Sequence, residues 1–190
     1  MKIVERNHQA SSRKRPAPVA RIQPVQSDSK TDESMCGSFS PGHVQDVAFN
    51  VMPDAPVTER LEILRYDTGP DFIEAHFDRE YSSAMEKSPS HLIFLSVLVQ
   101  WQRLIYIHVC QKFGRDPFEP GAEHFKIWPT KAEIRLPALE RDEKNLVQRA
   151  EFEELRDFGD GRYKLDSSTK AGPIQMTSQV IIFDTAVAPE

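Results

Sequence analysis

The chain is poor in residues that announce a chemistry. Its 190 residues include two cysteines, Cys36 and Cys110, too few for a disulfide scaffold and suited to a reduced, cytoplasmic protein. His76, His91, His108 and His124 stand at no metal-ligand spacing, and no Cys pair exists to join them, so no metal centre or cofactor is expected. There is no Gly-rich phosphate loop and no Ser elbow motif, which removes the common nucleotide-binding and α/β-hydrolase signatures. No apolar segment of the kind that directs secretion follows the start. Apolar residues make up 39% of the chain, a deficit that is not evenly spread. Residues 1–30 hold seven basic side chains against two acidic ones, a balance of +5, so the remainder carries about −10 of the −5 total. An acidic body argues against nucleic-acid binding.

What is present is one long apolar stretch, residues 88–114. Ser88 can cap a helix, Pro89 suits its first position, and Ser90 is a second candidate cap. Lys112 and Gly114 are stop signals. The spacing predicts a helix of about 25 residues, roughly 37 Å long. From Leu92 to Leu98 only Ser96 is polar, which implies burial on most sides. Gln100, Gln102 and Arg103 interrupt the apolar run well short of the ~18–20 residues that a membrane span needs.

The rest of the chain supplies strands around it. Residues 1–55, with scattered prolines and no periodicity, read as a disordered arm whose SRKRP cluster at 12–16 is an address or a solubilising charge. Within it, residues 44–51 are expected to pack as a short helix or strand. The folded body is expected over 56–190. Runs 61–67 and 71–78 flank Thr68-Gly69-Pro70, a hairpin signal, and the second run puts Phe72, Glu74, His76 and Asp78 on one face and Ile73, Ala75 and Phe77 on the other. A loop over 79–87 leads to the helix. After a connection over 115–129, strands are expected at 131–138, 145–155, 162–168 and 174–187, with a turn at Gly159-Asp160-Gly161. Two strands, a buried helix and four strands make an α+β protein with one antiparallel sheet curled round one long central helix.

That element order resembles the hotdog fold over residues 59–187. His91, Arg103-Leu104 and Tyr106 along the helix are similar in spacing to the FcoT-like long-chain acyl-CoA thioesterases. The resemblance implies an acyl-thioester hydrolase acting on fatty or polyketide-like groups carried by coenzyme A or acyl carrier protein. It also implies a homodimer, or a multiple of one, with the site at the subunit interface. The family's catalytic mid-helix Asn falls on Gln102, its first-turn Asn on Ile93, and its Tyr near Met85, four residues from Tyr81. Hotdog dehydratases carry a His and a helical acid where this chain has Ser82 and Ser96, and many hotdog thioesterases place an Asp or Glu in the helix. Between Ser88 and Gly114 there is neither.

Any chemistry must then use neutral donors or groups outside the helix. Ser90, His91 and nearby backbone N–H groups would hold the thioester carbonyl, and Gln100 or Gln102 would orient water. With Tyr81, this gives Gln102, His91 and Tyr81 as catalytic candidates and Ser90, Gln100 and Arg103 as substrate contacts. Each has a structural alternative: His91 as support for the cap, the glutamines bonded at a subunit seam, and Arg103 in a salt bridge to Glu74 rather than on a phosphate. A non-catalytic acyl-binding or assembly protein is the second class, and a dehydratase the third.

Overall fold

Alternating burial along the central strands builds one sheet. The computed structural model describes residues 37–52, 55–85 and 89–187, all within one compact unit, Thr31–Glu190. The strands are β1 (Gly37–Phe39), β2 (His43–Met52), β3 (Ala55–Thr68), β4 (Phe72–Ser83), β5 (Phe125–Arg135), β6 (Leu146–Phe152), β7 (Arg156–Gly159), β8 (Arg162–Ala171) and β9 (Ile174–Asp184), with helix α1 (Phe94–Lys112) between β4 and β5. The sheet is antiparallel, in the order β1-β3-β4-β6-β8-β9-β5, with β2 alongside β3 and β7 alongside β8. In β4, Ile73, Ala75 and Phe77 are buried while Glu74, His76 and Asp78 turn outward, as the two-residue period requires. Leu146, Gln148, Ala150 and Phe152 do the same in β6.

Helix α1 packs on the inner face and touches β2, β4, β5 and β6, which lie at both ends and the middle of the sheet, so the sheet curls around it. Its buried residues include Val97, Trp101, Leu104, Ile105, Ile107 and Val109, and they face more than one direction. Among the described residues no helix is long and apolar enough to cross a membrane.

The structure corrects several expectations. The helix has 19 residues and starts at Phe94, not near Ser88, which lies outside the described residues. The segment before it is extended because neighbours use its N–H groups: Leu92 donates to the Glu140 carbonyl at 2.8 Å and Ile93 to the Glu59 carboxylate at 3.1 Å. Ile93, with no capping side chain of its own, is the residue at the helix boundary. The C-terminus follows the sequence, with Lys112 in the last turn and Gly114 at φ 63°.

The sheet begins at Gly37, ahead of the boundary expected at residue 55. Residues 44–51 belong to a strand that pairs with β3 and turns Gln45 into the core. The arm before residue 37 lies outside the described residues. The expected loop at 79–87 is strand as far as Ser83. β5 starts inside the expected connection at 115–129.

His108 gives the core an acid-sensitive point. It is 2% exposed, its ring stacks on Phe152 with centroids 4.0 Å apart, and Nδ1 has no partner among the described residues. Burial, aided by the Lys112 charge, pushes its pKa down to about 3. The folded ring stays neutral where the unfolded one, with an ordinary value of about 6.5, takes a proton. Its contribution to stability is complete above about pH 6.5 and lost as pH falls from there towards 3. His108→Phe should flatten the acid limb of a plot of denaturation midpoint against pH. An unchanged slope would assign the acid sensitivity elsewhere, with His43, pushed down to about 4 in the same direction, as the next group to substitute.

Candidate functional site

The start of α1 opens into an apolar cavity of about 240 Å³, lined by Phe49 of β2, Val57 of β3, Tyr81 and Met85, the pre-helix residues His91 to Phe94, Leu136, Ala138 and Leu139 of the β5–β6 loop, and Ile174. Its location follows from the fold: residues 89–93 lead without regular structure into α1, and the β5–β6 loop packs beside them. Tyr81 and His91 meet on its wall with ring centroids 5.8 Å apart. The His91 Nδ1 lies 2.8 Å from the Pro89 carbonyl, which can only accept. Nδ1 therefore carries the proton, and the neutral ring keeps a bare lone pair at Nε2. Nε2 has no hydrogen bond among the described residues.

Beneath the cavity lies a pair the sequence reading missed. Glu59 and Arg79 are fully buried and bonded at 3.2 Å. Glu59 sits opposite Tyr81 in the β3–β4 ladder and two residues from Val57, so it borders the cavity without lining it. Burial pushes its carboxyl pKa up, against the Ser96 hydroxyl, the Ile93 N–H and the Arg79 guanidinium. Arg79 also donates to the carbonyls of Asp142 at 2.7 Å and Arg141 at 3.1 Å and to Ser90 Oγ at 3.2 Å, so it ties the β5–β6 loop to the pre-helix segment.

The expected site residues are therefore divided. Tyr81 and His91 come together. Ser90 is nearby but committed, accepting from Arg79 and donating to Glu143 at 3.2 Å. Gln100 is buried, with Nε2 donating to the Tyr66 hydroxyl at 3.3 Å, so it faces neither a subunit seam nor a wet pocket. Gln102 is exposed and lines a different hollow with Tyr106, Lys126 and Ile127, about 12 Å along the axis from the helix start. Arg103 contacts His43 on β2 and does not reach Glu74, because Glu74 is on the outer face of β4 and the helix is on the inner one. Glu74 pairs with Arg149 at 2.7 Å instead. Of the donors expected for a thioester carbonyl, Leu92 and Ile93 N–H are taken. The N–H groups of Phe94 and Leu95 have no acceptor among the described residues.

Two other features fit a site less well. A larger hollow of about 680 Å³ lies on the outer face of the sheet, where Arg149 and Glu151, and Lys164 and Asp166, already satisfy one another. Ligand atoms of Asp67, Glu74 and His76 fall within 4.8 Å of one another, a grouping made by the ladder opposition of Asp67 and Glu74 and invisible in linear spacing. Arg65 and Arg149 already supply the positive charge a cation would bring.

Fold and site together define a curled antiparallel sheet on one helix, with an apolar cavity and an available imidazole at the helix start. No family model and no curated protein matches the chain. Among solved structures it is similar to a probable thioesterase from Bartonella henselae, with 10% identity, TM-score 0.35, 53% of this chain and 84% of that one covered. It is also similar to a candidate thioesterase from Lactococcus lactis, with 9% identity, TM-score 0.36, and 76% and 94% covered. Neither likeness assigns an activity to this chain.

Proposed function

We propose that the chain is an acyl-thioester hydrolase with a hotdog-type body, acting in the cytoplasm on fatty or polyketide-like acyl groups carried by coenzyme A or acyl carrier protein. The observation that carries this reading is the apolar cavity with the His91 and Tyr81 rings on its wall. The acyl chain occupies the cavity, and the thioester carbonyl lies at the helix start, where the Phe94 and Leu95 N–H groups stabilise the developing oxyanion. His91 Nε2 takes a proton from water as the water oxygen bonds to the carbonyl carbon. Collapse of the intermediate breaks the C–S bond, and the imidazolium returns the proton to the leaving thiolate. The cavity lies below the ~300–1,000 Å³ usual for larger ligands, so it takes part of a long chain or the whole of a shorter one. The long-chain, FcoT-like subfamily is the narrower form of the same proposal.

The test is direct: incubate the full chain with acyl-CoA esters of increasing length and follow free thiol. Thiol release at a rate that depends on chain length is expected. A second reading, an acyl-binding protein without turnover, is favoured by the lack of any Asp or Glu among the described residues of the cavity wall. Saturable binding with no thiol release at any length would select it and overturn hydrolysis.

The protein acts as a homodimer or a multiple of one, using exposed Val99 and Gln102 of α1 and Trp128 of β5, which is 68% exposed. Sedimentation at micromolar concentration is expected to give twice the chain mass or more, and a monomer there would count against it.

A further inference from the structure

Helix α1 covers the inner face of the sheet, and no described helix or strand lies over the outer one. The charges on that outer face are sorted. On β2, β3 and β4 the outward positions hold Asp46, Glu62, Asp67, Glu74, Asp78 and Glu80 against Arg60 and Arg65, a balance of −4. On β5, β8 and β9 they hold Lys126, Lys131, Arg135, Arg162, Lys164 and Lys170 against Glu133 and Asp166, a balance of +4. Between the two groups β6 contributes Arg149 and Glu151, which pair at 2.9 Å and cancel.

The ladder register sets where each group lies. One row crosses the sheet through Asp67, Glu74, Arg149, Lys170, Gln175 and Arg135, each opposite the next. From that row the acidic strands run one way, to Arg60 opposite Glu80, and the basic strands run the other, to Phe183 between Lys126 and Arg162. The two groups therefore occupy diagonally opposite corners of one face. In the single chain the acidic corner is in conflict with itself, since Glu62 stands directly opposite Asp78 and Lys144 bonds only the latter, at 3.1 Å. Each corner also offers apolar surface, Val44 beside Glu62 in one and Ile181 and Phe183 among the basic residues in the other. The curl does not leave the face uniformly convex, because Ser168 and Thr177, both short, line a hollow of about 680 Å³ on it.

Such a face is complementary to itself. A two-fold axis in the contact plane, at right angles to the diagonal, lays the acidic corner of each copy on the basic corner of the other. A foreign acidic or basic partner would answer one corner, whereas a second copy answers both. We propose that the outer sheet faces of two copies pack together in this way. The contact is separate from the one proposed through Val99, Gln102 and Trp128, so with both in place the assembly is a multiple of the pair. It does not depend on hydrolysis in the cavity.

Sedimentation of the full chain at micromolar concentration tests this. Raising salt from about 0.01 M to about 1 M shortens the Debye length from about 30 Å to about 3 Å, and the mass is expected to halve. Arg162→Glu, Lys164→Glu and Lys170→Glu together change the basic corner from +4 to −2 and should halve the mass at low salt. Adding Asp46→Lys, Glu62→Lys and Glu80→Lys changes the acidic corner from −4 to +2 and should restore it. A folded sixfold variant, checked by circular dichroism, that stays at half mass overturns the proposal. If the sixfold variant does not fold, the three lysine substitutions alone should halve the mass from the other side. A mass of two chains or more that neither salt nor either threefold variant changes overturns the outer-face contact and leaves the α1 contact standing. A monomer at low salt overturns both.

Discussion

Arg79→Met should destabilise the protein by about 3–5 kcal/mol, the cost of leaving a buried charge without its partner. Arg79 is fully buried and donates to Glu59, Ser90 and two carbonyls of the β5–β6 loop. Its removal strands the Glu59 carboxylate under the helix start and leaves the Asp142 and Arg141 carbonyls without that donor. Glu59→Leu combined with Arg79→Met should recover much of the loss, because a matched apolar pair removes both desolvation penalties. Chemical denaturation of the two single variants and the double variant measures this. A loss below about 1 kcal/mol for Arg79→Met would mean that solvent reaches Glu59 directly.

The second large effect concerns the proposed hydrolysis. His91→Ala should lower turnover of an acyl-CoA by about 10²–10⁴-fold, the usual range for a general base. Its fold should persist, since among the described residues the imidazole makes one hydrogen bond, to Pro89, and one ring contact, to Tyr81. Gln102→Ala should leave turnover near wild type if each subunit works alone, although the sequence pointed to Gln102 as the donor whose loss costs about 10²–10³-fold. Free-thiol assays of both variants separate the cases. A loss in Gln102→Ala comparable to that in His91→Ala would move the chemistry to the exposed face of α1 and require a second subunit beside it.

Much of the body was legible because its physics is local. The hairpin around Thr68-Gly69-Pro70, the split of β4 into two faces and the left-handed turn at Gly159-Asp160-Gly161 each follow from a few adjacent residues. The helix start was not legible, because Leu92 and Ile93 spend their N–H groups on Glu140 and Glu59, residues distant in the chain. Glu59 and Arg79 did leave a trace in the sequence. Each is the one charged residue in an inward-facing apolar series, Val57-Glu59-Leu61-Ile63 on β3 and Ile73-Ala75-Phe77-Arg79 on β4. Opposite charges on neighbouring inner faces are a pairing signal, lost here by starting the first strand at Leu61 and ending the second at Asp78. Gln102 failed as a site residue for a different reason. A helical position fixes direction as well as distance, and at 102 the side chain points outward.

The sheet order also has a kinetic consequence. β3 and β4, or β8 and β9, can zip as hairpins as soon as both strands exist, but β5 pairs only with β9, Phe125 opposite Asp184. Loop closure of that length makes the β5–β9 ladder a slow step, and in vectorial synthesis the ribosome must deliver all of β6 to β9 first. During that interval β5 is an unpaired strand bearing Ile127, Trp128 and Ile134. Pro129, which has no N–H to offer a foreign strand, Lys131, and the register break between them interrupt its hydrogen-bonding edge at mid-length. Their protective value is therefore greatest before the native state exists, and replacing Pro129 and Lys131 with β-branched residues should increase aggregation during refolding more than it changes equilibrium stability.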